Sequence, residues 1–264
     1  MTLTGILEEL EVPRSGPIYV QSSTDWLQKA GFTAADTLVT LIEWTKPRGS
    51  LVMPTYPFRV PHAEYLAAHP RYDVRRTPAA IGLIPEVFRR TAGVHRSLDP
   101  DFNIAALGVD AADIVATDLA EEDPFGPASV YQRLLERDTT LVGMGVSLNT
   151  NSFIHVIDSR HSSAYPRPAY NGRQSTEVVN ADGVMTTAWR RVLVPDFQRL
   201  TKPSAVVANV AGDSLMFASC TVSGANFFRW NLQRWANWCD THAREAATSG
   251  VWPCWIAGLQ NSHE

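Results

Sequence analysis

A histidine and an aspartate lie three residues apart in the segment that follows a glycine-rich apolar run. They are His155 and Asp158, within LNTNSFIHVIDSRH at residues 148–161. In a helix, residues i and i+3 share a face, so the carboxylate can orient the imidazole and support it as a general base. A surface helix with both side chains in solvent is the alternative interpretation of the same spacing. The pair is a candidate acid/base site.

The same segment could also supply metal ligands, because His161 adds a second imidazole. Successive helical residues turn by about 100°, so His161 points roughly 120° away from His155. One helix cannot direct both imidazoles to one ion, and His95 and Asp99 would have to complete the site from elsewhere. We therefore expect no bound metal.

The elements before the pair predict where it lies. Residues 140–146, TLVGMGV, form a continuous apolar run that is typical of a strand buried on both faces. Such a strand delivers the next turn to its carboxyl end, where open α/β sheets bind ligands. Asn149, Thr150 and Ser152 can exchange hydrogen bonds there, and we expect a helix to start near Asn151.

Strand and helix patterns alternate along the chain. Residues 16–23 and 51–56 have the pattern of buried strands, with an amphipathic helix over residues 33–44 between them, and this unit builds parallel sheets. Asp182 and Gly183 mark a hairpin turn between alternating segments. We predict a three-layer α/β/α fold with a central mostly parallel or mixed sheet and a β-hairpin insertion in the C-terminal half.

Two other stretches carry weaker patterns. Residues 57–80 show neither the helical nor the strand period and predict a long loop. Residues 226–247 predict a helix, around which several tryptophans cluster, and we interpret that cluster as packing.

The composition disfavours several classes of protein. The chain has 264 residues, of which 45% are hydrophobic and 19% charged, and its net charge is −4. It has no basic run that would suit nucleic acid and no apolar run of membrane-spanning length. The acidic first residues do not resemble a signal peptide, so we expect a cytoplasmic protein. The three cysteines are widely spaced, which predicts neither a disulfide framework nor a zinc site.

Six segments carry a shared pattern, in register, over most of the chain. They are IYVQSS at 18–23, GSLVMPTY at 49–56, YDVRRTPAAIGLIPEVFRR at 72–90, VHRSLDP with AALG at 94–108, FGPASVYQRLL at 125–135 and LNTNSFIHVID at 148–158. Together they resemble the aminoglycoside 3-N-acetyltransferases, the antibiotic N-acetyltransferase family. We therefore treat residues 1–264 as one acyltransferase domain, with 166–209 as a divergent, insertion-like segment.

The resemblance implies an enzyme that transfers an acetyl group from acetyl-CoA to an amine of an aminoglycoside or related amino sugar. His155 would be the general base and Asp158 its orienting carboxylate, and no metal would take part. The expected partner is a small-molecule amine, and a homo-oligomer is compatible with this expectation. The same reaction on another amine is the first alternative, and a metal-dependent hydrolase or a binding protein is the second.

The resemblance also places side chains near the two substrates. It puts Ser22, Ser23, Thr77 and Arg96 close to the pantetheine and phosphate groups of coenzyme A. A guanidinium suits phosphate because it binds in a bidentate fork, although Arg96 could equally form a surface salt bridge. The two serines could instead satisfy their own turn.

The acceptor side rests on Asp99, Asn149 and Thr150. Asp99 stands where the family has a histidine, and Gln21 replaces the histidine before the two serines. Asp158 replaces a common glutamate and is one methylene shorter. Backbone N–H groups in the turn at residues 22–23 or near Thr150 are candidate donors to the oxyanion of the reaction.

Overall fold

The structure is a computed structural model that describes residues 1–165, 168–195, 197, 201–249 and 253–259. Its strands are β1 (Ser15–Ser22), β2 (Arg48–Pro54), β3 (Arg71–Asp73), β4 (His95–Arg96), β5 (Ile104–Gly108), β6 (Thr140–Met144), β7 (Tyr170–Val179), β8 (Met185–Leu193), β9 (Phe217–Val222) and β10 (Ala225–Asn231). Its helices are α1 (Leu3–Glu9), α2 (Thr24–Lys29), α3 (Ala34–Thr45), α4 (His62–Ala68), α5 (Leu83–Phe88), α6 (Ala111–Val115), α7 (Val130–Glu136), α8 (Ile154–His161), α9 (Val207–Val210) and α10 (Leu232–Ser249). Short 3-10 turns cover Leu148–Thr150, Ser162–Ala164, Pro203–Val206 and Cys254–Leu259.

A seven-stranded sheet in the order β4-β5-β2-β1-β6-β10-β9 forms the centre of the fold. Strand β1 pairs in parallel with β2 on one side and β6 on the other. The outer strands β5, β4, β10 and β9 all pair antiparallel to their neighbours. The predicted α/β sheet is therefore mixed, with a parallel centre of three strands.

Alternating side chains along β1 separate two hydrophobic layers. Ile18 and Val20 pack with residues of α1, α3 and α5, while Tyr19 packs on the opposite face with residues of α7, α8 and α10. All three side chains are almost fully buried. This alternation confirms the three-layer α/β/α arrangement that the sequence predicts.

The hairpin of β7 and β8 belongs to a second, three-stranded sheet in the order β3-β7-β8. Its turn contains Asp182 and Gly183, as the sequence predicts, and Asn180 Oδ1 accepts hydrogen bonds from the N–H groups of Asp182 and Val184. Strand β3 pairs in parallel with β7, so a segment from the first half of the chain anchors the hairpin.

Three expectations differ from the structure. Residues 57–80 contain α4 and β3 instead of one long loop. The C-terminal helix starts at Leu232, because Ala225–Asn231 pairs with β6 and β9 as a central strand. The helix that carries His155 starts at Ile154 instead of near Asn151, because a 3-10 turn precedes it. None of the helices in the described ranges is long and apolar enough to cross a membrane.

Gly143 of β6 lets an aromatic ring lie directly on the sheet. Its partner across the antiparallel pairing is Phe228, which is 1% exposed. A Cβ built on Gly143 would lie only 2.0 Å from Cζ of Phe228. The absence of a side chain at this residue therefore sets how closely the ring packs on β6.

We predict that Gly143→Ala lowers the free energy of unfolding by about 1–3 kcal/mol, because the ring and the strand must move apart. Gly212→Ala is the matched control, since an added Cβ there has no heavy atom within 4 Å. Urea denaturation of both variants measures the difference. Equal stability of the two would contradict this account of the packing.

Candidate active site

A cleft of about 400 Å³ opens at the carboxyl ends of β1, β2 and β6. Ser22 ends β1, Pro54 ends β2, and Val146 follows β6, so the three parallel strands all deliver residues to its lining. The loop at residues 149–152 and His155 form a further part of the wall. This is the edge of the sheet where the sequence predicts a ligand site.

His155 and Asp158 form the hydrogen-bonded pair that their spacing predicts. His155 Nδ1 lies 3.0 Å from Asp158 Oδ2, and the side chain of Asp158 is 0% exposed. Because a carboxylate only accepts hydrogen bonds, Nδ1 carries the proton and Nε2 of the neutral ring keeps its lone pair. Asp158 lies behind the imidazole, and His155 itself lines the cleft.

The groups around Asp158 fix the orientation of the His155–Asp158 pair. Burial raises the pKa of the Asp158 carboxyl, and the hydrogen bond from His155 opposes that rise. Tyr165 Oη donates to Asp158 Oδ1 over 3.3 Å, so both carboxylate oxygens are bonded. The ring of Phe125 lies 5.1 Å from the imidazole, between ring centroids. The imidazole is thus held from two sides.

Two hydrogen-bond donors border the cleft with no partner among the described residues. They are the hydroxyl of Ser22 and the Nδ2 amide of Asn151, both buried. Asn151 Oδ1 accepts the N–H of Phe153 over 3.1 Å, which fixes the orientation of the amide and leaves Nδ2 as the unused end. An unsatisfied buried donor costs about 1–3 kcal/mol, so these groups are suited to a ligand oxygen.

Gln21 ties the end of β1 to the loop before α8. Its Nε2 donates to the carbonyl oxygen of Thr150 over 2.6 Å, and Thr150 Oγ1 lies 3.3 Å from Gln21 Oε1. Asn149 Oδ1 accepts the N–H of Ser204 over 3.0 Å, which joins the same loop to the turn on the other side of the cleft. These bonds fix the loop that carries Asn151.

A cluster of hydroxyl groups lies beneath the cleft. Tyr56 Oη lies 3.2 Å from Tyr19 Oη and 2.5 Å from Tyr131 Oη, and it is 3.0 Å from Ser152 Oγ. Tyr131 donates to the carbonyl oxygen of Phe102 over 3.1 Å. Burial raises the pKa of all three tyrosines, so their hydroxyls stay protonated. The cluster is neutral, and Ser152 connects it to the cleft.

Arg96 lies outside the cleft lining, and the protein occupies its guanidinium. Nη1 donates to the carbonyl oxygens of Val74 and Thr77, over 3.2 and 2.6 Å. Nη2 donates to the carbonyl oxygen of Thr55 and to Asn103 Oδ1, each over 2.9 Å. Nε lies 3.1 Å from Oγ1 of Thr55 and from Oδ1 of Asn103. The geometry therefore does not match the phosphate-binding role expected of Arg96.

Thr77 and Ser23 also lie outside the cleft lining. Thr77 Oγ1 accepts the N–H of Asp73 over 2.8 Å, which closes the turn after β3. The N–H of Ser23 donates to the carbonyl oxygen of Met144, which continues the pairing of β1 with β6. Of the four residues expected at the cofactor, only Ser22 lines the cleft.

Asp99 is buried away from the cleft and forms an ion pair. Its Oδ2 lies 3.0 Å from Nη2 of Arg190, while His62 Nε2 lies 2.7 Å from Asp101 Oδ2. Burial raises the pKa of Asp99. Burial acts the same way on Asp101, but its hydrogen bond with Asp99 and the charge of Arg190 prevail and lower its pKa. This position does not match the acceptor-binding role expected of Asp99.

The expected residues thus separate into two groups. Ser22, Asn149, Thr150 and His155 line the cleft, with Asp158 behind. The residues that sequence reasoning missed at the cleft are Arg59, Tyr56 and Asn151. Arg59 lies in a stretch without periodicity, where only its charge and its exposure could have indicated it.

The metal alternative finds no support in the positions of the imidazoles. His161 Nε2 lies 2.8 Å from Asp240 Oδ1, on the side of α8 that faces α10. Within the described ranges, no group of three or more His, Cys, Asp or Glu side chains is arranged to hold a metal ion.

Comparison with protein families finds one match over most of the chain. The family model described as aminoglycoside 3-N-acetyltransferase matches residues 19–238. Aminoglycoside N(3)-acetyltransferase IX of Micromonospora chalcea is 26% identical over 199 residues, which cover 65% of this chain and 70% of that protein. Aminoglycoside N(3)-acetyltransferase VII of Streptomyces paromomycinus is 36% identical over 91 residues, 34% of this chain and 31% of that protein.

Solved structures share the fold. The apoenzyme of aminoglycoside acetyltransferase AAC(3)-IVa has a TM-score of 0.70 and 19% identity, over 97% of this chain and 94% of that one. AAC-IIIb in a binary complex with CoASH has a TM-score of 0.69 and 18% identity, over 92% and 95%. YokD of Bacillus subtilis has a TM-score of 0.65 and 19% identity, over 90% and 96%.

We predict that Arg96→Met lowers the free energy of unfolding by about 2–5 kcal/mol, because it leaves buried carbonyl and amide oxygens without donors. Arg59→Met is the matched control and should change stability by less than about 1 kcal/mol, since Arg59 is exposed and its hydrogen bond to the carbonyl oxygen of Ala80 lies at the surface. Chemical denaturation of both proteins measures the difference. Unchanged stability in Arg96→Met would show that the guanidinium is not part of the packing.

Proposed function

The chain belongs to the aminoglycoside 3-N-acetyltransferase family, and we propose that it transfers the acetyl group of acetyl-CoA to an amine of an aminoglycoside or related amino sugar, with His155 as general base. The observation that carries the proposal is the hydrogen bond from His155 Nδ1 to the buried Asp158 at the edge of the cleft. The family is that of an acyl-CoA-dependent N-acyltransferase with acetyl-CoA as co-substrate. AAC-VIa, a structural neighbour, binds sisomicin.

The chemistry needs a base because an ammonium group has no lone pair with which to attack a thioester. Nε2 of His155 takes a proton from the amine as its nitrogen bonds to the carbonyl carbon. The tetrahedral intermediate then expels the coenzyme A thiolate as the carbon–sulfur bond breaks, and the imidazolium of His155 gives its proton to the sulfur, while the other proton of the ammonium group passes to solvent. Asp158 holds the ring in the tautomer that can accept a proton and stabilises the imidazolium that forms. The products are an amide and free coenzyme A.

The negative charge that develops on the carbonyl oxygen needs fixed donors. We assign this role to Asn151 Nδ2 and the Ser22 hydroxyl, since both are unsatisfied donors on the wall that also contains His155. Their positions are set by Phe153, whose N–H binds Asn151 Oδ1, and by the pairing of β1 with β6. Side-chain donors thus replace the backbone N–H groups that the sequence suggested.

Coenzyme A would enter along the part of the cleft that contains Arg59. This arginine is exposed and lines the cleft; its Nε donates to the carbonyl oxygen of Ala80, and its Nη groups are the part of the guanidinium that would meet the phosphates at the mouth of the cleft. Asn149 and Thr150 stay candidates for contact with either substrate, since both line the cleft. The resemblance to the family puts Ser22 near coenzyme A, and Ser22 also lines the cleft.

We also propose that residues 1–264 form one domain, with 166–209 as an insertion-like segment. The pairing of β3 with β7 supports it, because the small sheet takes one strand from the body of the chain. Ser159 of α8 donates to Asp123 Oδ2 over 2.8 Å, and Tyr170 of β7 donates to Asp123 Oδ1 over 2.6 Å. The small sheet and the catalytic helix therefore share one carboxylate.

We predict that His155→Gln lowers kcat by about 10²-fold or more, because glutamine can still donate to Asp158 but cannot accept the proton. His161→Gln is the matched control, since that histidine lies on the same helix as His155, has its own aspartate partner, Asp240 of α10, and lies outside the cleft lining. Thiol release from acetyl-CoA with an amine acceptor measures both. Turnover in His155→Gln equal to that of the control would remove His155 as the base.

We predict that Asn151→Asp lowers kcat by about 10²–10³-fold with little change in the KM for acetyl-CoA, because a negatively charged acceptor oxygen replaces the amide donor. The remaining oxygen can still accept the N–H of Phe153. Asn180→Asp is the control, since the Asn180 side chain accepts two backbone N–H groups in the hairpin turn. A kcat within threefold of the control would exclude an oxyanion role for Asn151.

A further inference from the structure

The hydroxyl of Tyr165 donates to the carboxylate of the His155–Asp158 pair from outside the cleft lining. We propose that Tyr165 is a positioning residue that acts through Asp158: its hydrogen bond keeps the pair in the form that can accept a proton at neutral pH. The inference deepens the proposed acetyl transfer and rests on it for the consequence in turnover. The effect of Tyr165 on the pair itself can be measured without any reaction.

The chain places Tyr165 behind the pair as it leaves α8. The 3-10 turn at Ser162–Ala164 follows the helix, and the N–H of Tyr165 donates to the carbonyl oxygen of Ser162 over 3.2 Å. Seven residues, or about two helical turns, separate Tyr165 from Asp158, so both side chains start from the same side of the helix. Tyr165 Oη lies 3.3 Å from Asp158 Oδ1, while His155 binds the other carboxylate oxygen, Oδ2.

Packing fixes the ring of Tyr165 in this position. The side chain is buried in the hydrophobic layer that also contains residues of α7, α8 and α10. Its ring stacks on Phe197, with an angle of 15° between the ring planes. Burial raises the pKa of the Tyr165 hydroxyl, and the nearby charge of Asp158 raises it further. The hydroxyl therefore stays protonated and always has a hydrogen to donate.

The effect of this donor on the pair has a definite sign. Burial raises the pKa of Asp158, and the hydrogen bonds from His155 and Tyr165 oppose that rise. The pair is negatively charged when the imidazole is neutral, and it loses that charge when either partner takes up a proton. A donor hydroxyl favours the more negative form. It therefore lowers the pH at which the pair becomes protonated and stops acting as a base.

Other titratable groups face Asp158 from α8, α10 and β7. His161 of α8 lowers the pKa of Asp158 and is itself paired with Asp240 of α10. Cys239 of α10 and Tyr170 of β7 also interact with this carboxylate, and burial raises the pKa of both, so the thiol and the hydroxyl stay neutral.

The acidic loop before α7 brings one more charge to α8. Asp123 accepts from Ser159 over 2.8 Å, and Arg191 Nη1 lies 3.4 Å from the same oxygen. A variant that lacks only the hydroxyl of Tyr165 leaves these groups in place. They contribute equally to its titration and to that of the wild type, so the difference between the two reports the hydroxyl.

Tyr165→Phe removes the hydroxyl and keeps the ring. We expect the midpoint of proton uptake by the pair to rise by about 0.5–1 pH unit. The measurement is an NMR titration of the free enzyme with isotope-labelled histidine, in which the signal of His155 is the one that His155→Gln lacks. A midpoint that falls, or that stays within about 0.2 unit of the wild type, overturns the proposal.

Tyr72→Phe is the matched control for the loss of a buried hydroxyl. Tyr72 lies on β3 outside the cleft lining, is 0% exposed, and donates to the carbonyl oxygen of Ser97 over 2.9 Å. We expect the midpoint in this variant to equal that of the wild type. A rise in Tyr72→Phe as large as that in Tyr165→Phe would mean that general loosening of the fold moves the titration, and would overturn the proposal.

A modified tyrosine at residue 165 tests the opposite sign. Fluorine on both ring carbons next to the hydroxyl makes the hydroxyl more acidic and hence a stronger hydrogen-bond donor, while the ring and the bond to Asp158 are kept. We expect the midpoint to fall below that of the wild type. This substitution keeps the proposal testable even if Tyr165→Phe does not fold. An unchanged or raised midpoint contradicts it.

Turnover should show the same shift. We measure thiol release from acetyl-CoA with sisomicin as acceptor and take the ratio of kcat/KM between Tyr165→Phe and the wild type, in which the titration of the acceptor cancels. Below both midpoints the variant should be about 3–10-fold less active, and above them the two enzymes should be equal. A loss by the same factor at every pH would indicate a purely structural role and contradict the proposal.

The proposed function and this inference can fail separately. If sisomicin and glucosamine release no thiol and the enzyme does not bind coenzyme A, acetyl transfer is wrong, and the histidine titration of the free enzyme still decides the effect of Tyr165. If thiol release depends on His155 while Tyr165→Phe leaves the titration and the pH profile unchanged, the function stands and the inference fails.

Discussion

A carboxylate that is buried away from water needs hydrogen-bond donors to both of its oxygens. This requirement of Asp158 determines how the side chains around it are arranged. One oxygen takes the imidazole of His155 and the other takes the hydroxyl of Tyr165. Tyr165 follows α8 and its ring stacks on Phe197, with ring centroids 5.8 Å apart. The hydrogen bonds of this one buried carboxylate therefore link α8, the segment after it and Phe197, which follows β8. The imidazole has a defined orientation because hydrogen bonds hold both carboxylate oxygens of Asp158.

A second carboxylate, Asp123, attaches the small sheet to the same helix. It binds Ser159 of α8 and Tyr170 of β7, and Phe125, two residues later, contacts the face of His155. One loop thus contacts the small sheet, α8 and the imidazole of His155. A change in the hairpin can reach the imidazole through this loop, since each step is a direct contact.

The sequence predicts the features that depend on local periodicity and on short-range pairs. The parallel centre of the sheet, the hairpin turn at Asp182 and Gly183, and the contact of His155 with Asp158 are all of this kind. The contacts of Arg96 and Asp99 depend on which oxygens and cations the tertiary fold places beside them. No local sequence pattern predicts those contacts.

The boundaries of helices and strands also depend partly on local periodicity and partly on tertiary contacts. The stretch Ala225–Asn231 alternates weakly and could form a helix or a strand, so its pairing with β6 decides the outcome. The cleft residues Tyr56 and Arg59 belong to a segment whose pattern is irregular because it passes over the end of the sheet. Side chains in such a segment reach the cleft because the fold places them there, and the periodicity of the sequence does not predict that position.

The hydroxyl cluster beneath the cleft has fewer protons than contacts. Tyr19, Tyr56, Tyr131 and Ser152 have one hydroxyl proton each, yet they make five close oxygen–oxygen contacts, two of them to carbonyl oxygens. One contact must always lack a hydrogen. Tyr56 donates to Ser152, Ser152 donates to the carbonyl oxygen of Thr150, and Tyr131 donates to that of Phe102. A ligand oxygen that accepts from Ser152 then replaces only the bond to Thr150, and the hydroxyl hydrogens of the three tyrosines keep their orientation.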